Sequence, residues 1–203
     1  MYQRIWIASL LMISVGCSQR ASYRVVQPSP KQQAVALATA AAAPADATAV
    51  AHLRGLLFPV PGVHGTRVSD TFNDVRDGGA RRHNAIDIMA PKGTPVISAD
   101  DGRVLRLTRN MNGGISLYAT NIEEQFVYYY AHLDGYHASI YAGRSLLRGD
   151  TIGYVGTTGN APKDAPHLHF QVMRMPADRK FWNGEPINPY PLLKAASPAT
   201  TGR

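Results

Sequence analysis

Residues 164–172 read DAPHLHFQV, and the alternation within them is that of a strand. Successive strand side chains point to opposite faces, so His167 and His169 share one face, about 7 Å apart along it. Leu168 and Phe170 turn the other way, towards a core. Pro166 stands where a strand begins and a loop opens a cleft. Two histidines side by side can serve one metal, or one can bind it while the other works on its water. A pair of surface histidines has the same spacing.

Two further stretches belong with this one. VYYYAHLD, residues 127–134, has the same period, which places Tyr128, Tyr130 and His132 on one face with His132 at the strand's end. RRHNAIDIMAPKGTPV, residues 81–96, sets His83 four residues before Asp87, where a Gly-rich loop gives way to an apolar run. That spacing suits two ligands of one metal, or a surface histidine near an unrelated acid. The set of three is more telling than any member, because the chain has only seven histidines.

The surroundings of these stretches predict the fold. Short apolar runs rich in Val, Ile, Thr and Tyr are punctuated by Gly, Asn and Asp, as in TPVISADDGRVLRLT, ISLYATN and DTIGYVGTTGN. Asp101-Gly102 and Gly113-Gly114 are hairpin signals, and no strong amphipathic helix stands out. Strands at such intervals predict an all-β, mainly antiparallel domain, not a βαβ fold. Phe58, Phe72, Val96, Ile97, Val104, Leu105, Ile152 and Val155 are expected in its core, with Tyr128 and Tyr130 as packing residues.

The order RRHNAID, YYAHLD, PHLHFQV resembles the lysostaphin-type (LytM-like) zinc metalloendopeptidases, which cut peptide bonds in bacterial peptidoglycan. The flanks DTFNDVRDGGARRH, APKGTPVISADDGRV and GDTIGYVGTTGNA agree, so the likeness covers about residues 58–192. It implies a single compact β-domain with an open sheet and a groove, of the duplicated hybrid motif type. It also implies one Zn²⁺ held by His83, Asp87 and His169, an open three-ligand site with a water in fourth place. His132 and His167 would be the catalytic pair flanking that water. The first family motif is commonly His-x-Gly-x-Asp, and here Ala85 stands in the glycine's place. Relatives that have lost the ligands act as activators of other cell-wall hydrolases, which gives the alternative function for this fold. A zinc endopeptidase with a protein target is a third possibility.

Composition limits the partners. The 203 residues carry a net charge of +7, but from Arg54 to Lys194 there are 16 Lys and Arg against 13 Asp and Glu, a net of +3. No nucleic-acid-binding motif accompanies so mild a charge. Arg76, Arg81 and Arg82 form a basic rim at the first motif, solvated by default, able to attract substrate carboxylates. His52, His64 and His137 are expected to be solvated.

The chain starts MYQRIWIASLLMISVGC, an Arg4-bearing segment followed by an apolar stretch too short to span a bilayer of roughly 30 Å. Ser14-Val15-Gly16-Cys17 resembles a lipobox, which would make the only cysteine a lipid-bearing membrane anchor. Ser18 after it resembles the sorting signal of an outer-membrane lipoprotein facing the periplasm. The expected organisation is a lipoprotein-like signal peptide at 1–16, a flexible Ala/Pro-rich tether at 17–52, the zinc peptidase domain at 53–194 and a disordered tail at 195–203. Peptidoglycan is the expected partner, and protein regulators are possible ones.

Overall fold

The computed structural model describes residues 51–63 and 68–194. The signal-like residues 1–16, Cys17, the tether up to residue 50, His64 and the tail 195–203 lie outside the described residues.

Among the described residues the strands are, in chain order, β1 (Val75–Arg76), β2 (Arg81–Arg82), β3 (Ile86–Met89), β4 (Pro95–Ile97), β5 (Gly102–Asn110) and β6 (Gly114–Asn121). There follow β7 (Phe126–Tyr136), β8 (Ser145–Leu146), β9 (Thr151–Val155), β10 (His167–Arg174) and β11 (Glu185–Ile187). β1 and β2 make a two-stranded ribbon. The other nine share one sheet whose main path is β11-β10-β7-β6-β5-β8, with β3 added to β10 and β9 joining β7 to β4. All these pairings are antiparallel, as the alternating sequence requires. Among the described residues helix is confined to residues 51–53, short 3-10 turns and the five-residue segment Tyr190–Lys194.

β7 is the central strand, and both its faces are covered. Phe126, Tyr128, Tyr130 and Leu133 enter the main core with Ile86, Ile88, Leu168 and Phe170. Val127, Tyr129 and Ala131 join Met173 in a smaller cluster on the opposite face. Phe170 is fully buried, so truncating it to Ala would cost about 3–5 kcal/mol.

Several expectations need correcting. Strict alternation put His132 on the face of Tyr128 and Tyr130. A register shift between Ile115 and Leu117 of β6 and a positive φ of 60° at His132 reset β7, so that Leu133 takes the core position instead. Leu105 and Phe72 are only partly buried, Leu105 because the β5 register skips it between Val104 and Arg106. Asp101-Gly102 does not turn a hairpin, because β4 pairs with β9 and β5 with β6. Glycine is needed at 102 because a Cβ there would lie 1.7 Å from the Thr120 carbonyl oxygen. Gly113-Gly114 does sit at the turn between β5 and β6.

His52 is not simply solvated. Its Nε2 lies 2.5 Å from Asp100 Oδ2, and its ring stacks on Phe126 at 5.8 Å. Asp100 is buried and also accepts hydrogen bonds from Tyr128 Oη at 2.6 Å and Arg148 Nη2 at 3.1 Å.

Candidate metal centre

The strand register brings the first and last motifs together. β3 and β10 pair with Asp87 directly opposite His169 and Ile88 opposite Leu168. Alternation then sends both apolar residues into the core and leaves Asp87 and His169 on the open face. His83 reaches the same place from the turn before β3. Its backbone N–H donates to Asp74 O, and that of Asn84 to Phe72 O. The left-handed residue of this turn is Asn84, with φ 57°, a type that tolerates that region. Ala85 is not at positive φ and is fully buried, so the missing glycine costs the turn nothing in backbone strain.

Three ligand-type atoms converge. His83 Nε2 is 3.0 Å from His169 Nδ1 and 3.1 Å from Asp87 Oδ1, and the last two are 3.3 Å apart. An ion with tetrahedral bonds of about 2.0–2.1 Å sets its ligand atoms about 3.3–3.4 Å apart. The donor set of two imidazoles and a carboxylate therefore fits such an ion in type and spacing. His83 Nδ1–H donates to Thr71 O at 2.9 Å, which leaves the Nε2 lone pair facing the cluster. Thr71 holds the opposing ligand too, because its Oγ1 accepts the Asp87 backbone N–H at 3.2 Å. Arg76 Nη2 binds Asp87 Oδ2 at 2.9 Å and leaves Oδ1 for the two histidines.

Electrostatics keep the ligands in their binding forms. Burial would raise the Asp87 carboxyl, but the adjacent His169 and His83 side chains outweigh it and hold the group well below the usual carboxylate range. Burial lowers His169, against the pull of Asp87, and favours its neutral form. His132 is lowered to about 4, chiefly by burial, although the Thr158 carbonyl pulls the other way.

His132 and His167 complete the cluster. His167 Nε2 lies 3.8 Å from Asp87 Oδ1, and the two rings are 4.9 Å apart. Each has its Nδ1 at 2.9 Å from a backbone carbonyl, Thr158 O for His132 and Ala165 O for His167. A carbonyl only accepts, so Nδ1 carries a proton, and in the neutral ring the Nε2 lone pair is the one left to take another. The bulge that displaced His132 from the core is what delivers it here. Its positive φ is a strain of order 1–3 kcal/mol held at this cluster.

The cluster lies between two cavities of about 370 and 340 Å³. Arg81, His83, His132 and Asn160 border both, while Met89 and His167 belong to one and Tyr129 and His169 to the other. The open face thus carries a groove that continues on either side of the ligands.

The description "Peptidase family M23" matches residues 81–189, which contain all five of these residues. The chain belongs to peptidase family M23. Like that family's LytM-type peptidoglycan hydrolases, it is an antiparallel β-domain. The L-Ala–D-Glu endopeptidase of Bacillus subtilis is 34% identical over 144 residues, covering 68% of this chain and 43% of that protein. The peptidoglycan DD-endopeptidase ShyC of Vibrio cholerae is 32% identical over 111 residues, or 53% of this chain and 24% of the relative. The chain thus spans less than half the length of these curated relatives. Among solved structures, LytU aligns at 32% identity and TM-score 0.52, over 62% of this chain and 82% of that one. The catalytic domain of lysostaphin from Staphylococcus simulans gives 26% and 0.51 over 70% and 95%. A putative glycyl-glycine endopeptidase lytM from Ruminococcus gnavus gives 29% and 0.56 over 69% and 59%.

All five positions singled out in the sequence of this M23 chain meet at one place. Thr71, Arg76 as partner of Asp87, and the Thr158 and Ala165 carbonyls were not assigned roles there. Hydrogen bonds accepted by backbone oxygens carry no residue-type signature, and in the sequence Arg76 is one of three rim arginines.

Proposed function

We propose that this protein is a zinc-dependent endopeptidase that hydrolyses peptide cross-links of peptidoglycan. The observation that carries the proposal is the convergence of His83, Asp87 and His169, with the unprotonated Nε2 atoms of His132 and His167 beside them. Zn²⁺ at such a site supplies Lewis acidity and brings the pKa of water from 15.7 down to about 7. The chain supplies the rest. His83, Asp87 and His169 hold the ion, and Thr71 and Arg76 hold the ligands. One of His132 and His167 accepts the attacking water's proton at Nε2 and passes it to the departing amine nitrogen, and the other, protonated from solvent, donates a hydrogen bond to the developing oxyanion. The groove seats the extended peptide on both sides of the scissile bond.

Residues 53–194 are the peptidase domain in this reading, and Cys17, through the lipobox-like Ser14-Val15-Gly16, anchors the chain to the outer membrane on its periplasmic side. The five converging residues favour an enzyme over a non-catalytic activator, which needs none of them. The test is digestion of purified cross-linked muropeptides with and without a chelator. Cleaved cross-links that vanish with the chelator support the proposal; intact cross-links with metal-loaded protein refute it.

A further inference from the structure

A row of aromatic rings leaves the metal centre along the open face and ends in solvent. Tyr129 stands 6.0 Å from His169, Tyr118 stacks on Tyr129 at 4.4 Å, Phe181 lies 5.2 Å from Tyr118, and Trp182 lies 5.1 Å from Phe181. Tyr129 is nearly buried and borders the groove, Tyr118 and Phe181 are half-buried, and Trp182 is 51% exposed. The row is built in place. Gly113 makes room for Tyr129, because a Cβ there would meet its hydroxyl at 2.0 Å. The single turn Phe181–Asn183 is tied back by Asn183 N–H to Lys180 O and Lys180 N–H to Asp178 Oδ1. Gly184 then returns the chain so tightly to β10 that a Cβ would meet Arg174 O at 2.5 Å.

Nothing in the hydrolysis described above uses this row. Resting on the peptidoglycan reading, we propose that it is a carbohydrate platform, seating the N-acetylhexosamine strand that bears the peptide being cut. A pyranose presents a row of C–H groups on one face, which the negative face of an aromatic ring attracts. A stable protein partner needs about 800 Å² on each side, far more than one exposed Trp and the edges of half-buried rings present. A sugar ring needs little more than that. The continuity with the groove at Tyr129 is what assigns the platform to the same substrate. A rigid loop also spares the ordering cost that a mobile Trp would add.

The test is binding, with the full chain in excess chelator so that no turnover is required. The probes are an N-acetylglucosamine hexasaccharide, peptide-stripped glycan strands, a free stem peptide and dextran. The wild type is expected to bind the first two, and Trp182→Ala to bind them about tenfold more weakly, with Trp182→Phe recovering most of the loss. Equal binding by wild type and Trp182→Ala, or sugar binding no stronger than dextran, overturns the proposal. Binding of the stem peptide alone, weakened by Trp182→Ala, overturns it too and makes the row a peptide platform. An inactive enzyme that still binds glycan through Trp182 would sink the endopeptidase reading and leave the platform standing.

Discussion

The domain holds two carboxylates in similar company. Asp87 sits with His83, His169 and Arg76, and Asp100 sits with His52, Arg148 and Tyr128. Each has a histidine and an arginine partner, yet among the described residues only Asp87 belongs to a donor set that could hold a metal. Around Asp100 every contact is a donor: Tyr128 Oη–H, the Arg148 guanidinium, the Asp101 backbone N–H and the His52 ring together saturate both oxygens. Around Asp87 the arginine takes one oxygen only, and beside the other stands His83, whose second nitrogen is held by Thr71 O. The first arrangement fixes a fold; the second leaves electron pairs facing a common point, beside a cavity. Chemistry at the site comes from lone pairs left unspent.

The comparison breaks first under exchange of its centres. Asp87→Ala should lose bound metal and drop turnover to background with little change in melting temperature. Asp100→Ala should keep the metal but lower unfolding stability by about 3 kcal/mol, because it strands buried partners. Thermal melts paired with metal analysis separate the two. Next in size, His167→Ala should slow turnover by about 10²–10⁴-fold while retaining metal, since the proposed mechanism has its imidazole handle protons without being a ligand. Single-turnover rates on muropeptides measure this, and a variant that loses metal as well would move His167 into the ligand set. Arg76→Met should weaken zinc binding by about 10–100-fold, read by competition with a chromophoric chelator. Tyr128→Phe should cost about 1–3 kcal/mol of stability and leave the kinetics alone, because it removes one donor from Asp100.

A pH titration sharpens the same contrast in the chelator-treated protein. Burial lowers His132 from 6.5 to about 4, so the unfolded chain binds the extra proton first. Its contribution to stability is fully present above about pH 6.5 and is lost as pH falls towards 4. Denaturant melts across that window should show the fall, and His132→Gln should flatten it.

The candidate ligand set is legible because each of its members sits in a short motif whose spacing maps directly onto strand geometry. Asp87 and His169 face each other for the same reason that Ile88 and Leu168 enter the core. The motif marks His132, but strict alternation gives it the wrong face, because a bulge costs one residue of register and leaves no mark in VYYYAHLD. Asp100 and His52 were illegible for a different reason. They are 48 residues apart, and nothing near either of them announces the other. The Ala85 departure also resolved only with backbone angles in hand, since the left-handed residue is its neighbour Asn84.

The most direct measurement is metal content per chain across four proteins. One zinc is expected in the wild type, in His167→Ala and in Asp100→Asn, and none in His83→Ala. Equal zinc in all four, or zinc lost from Asp100→Asn but kept in His83→Ala, would contradict the assignment of Asp87 and its two histidines as the site.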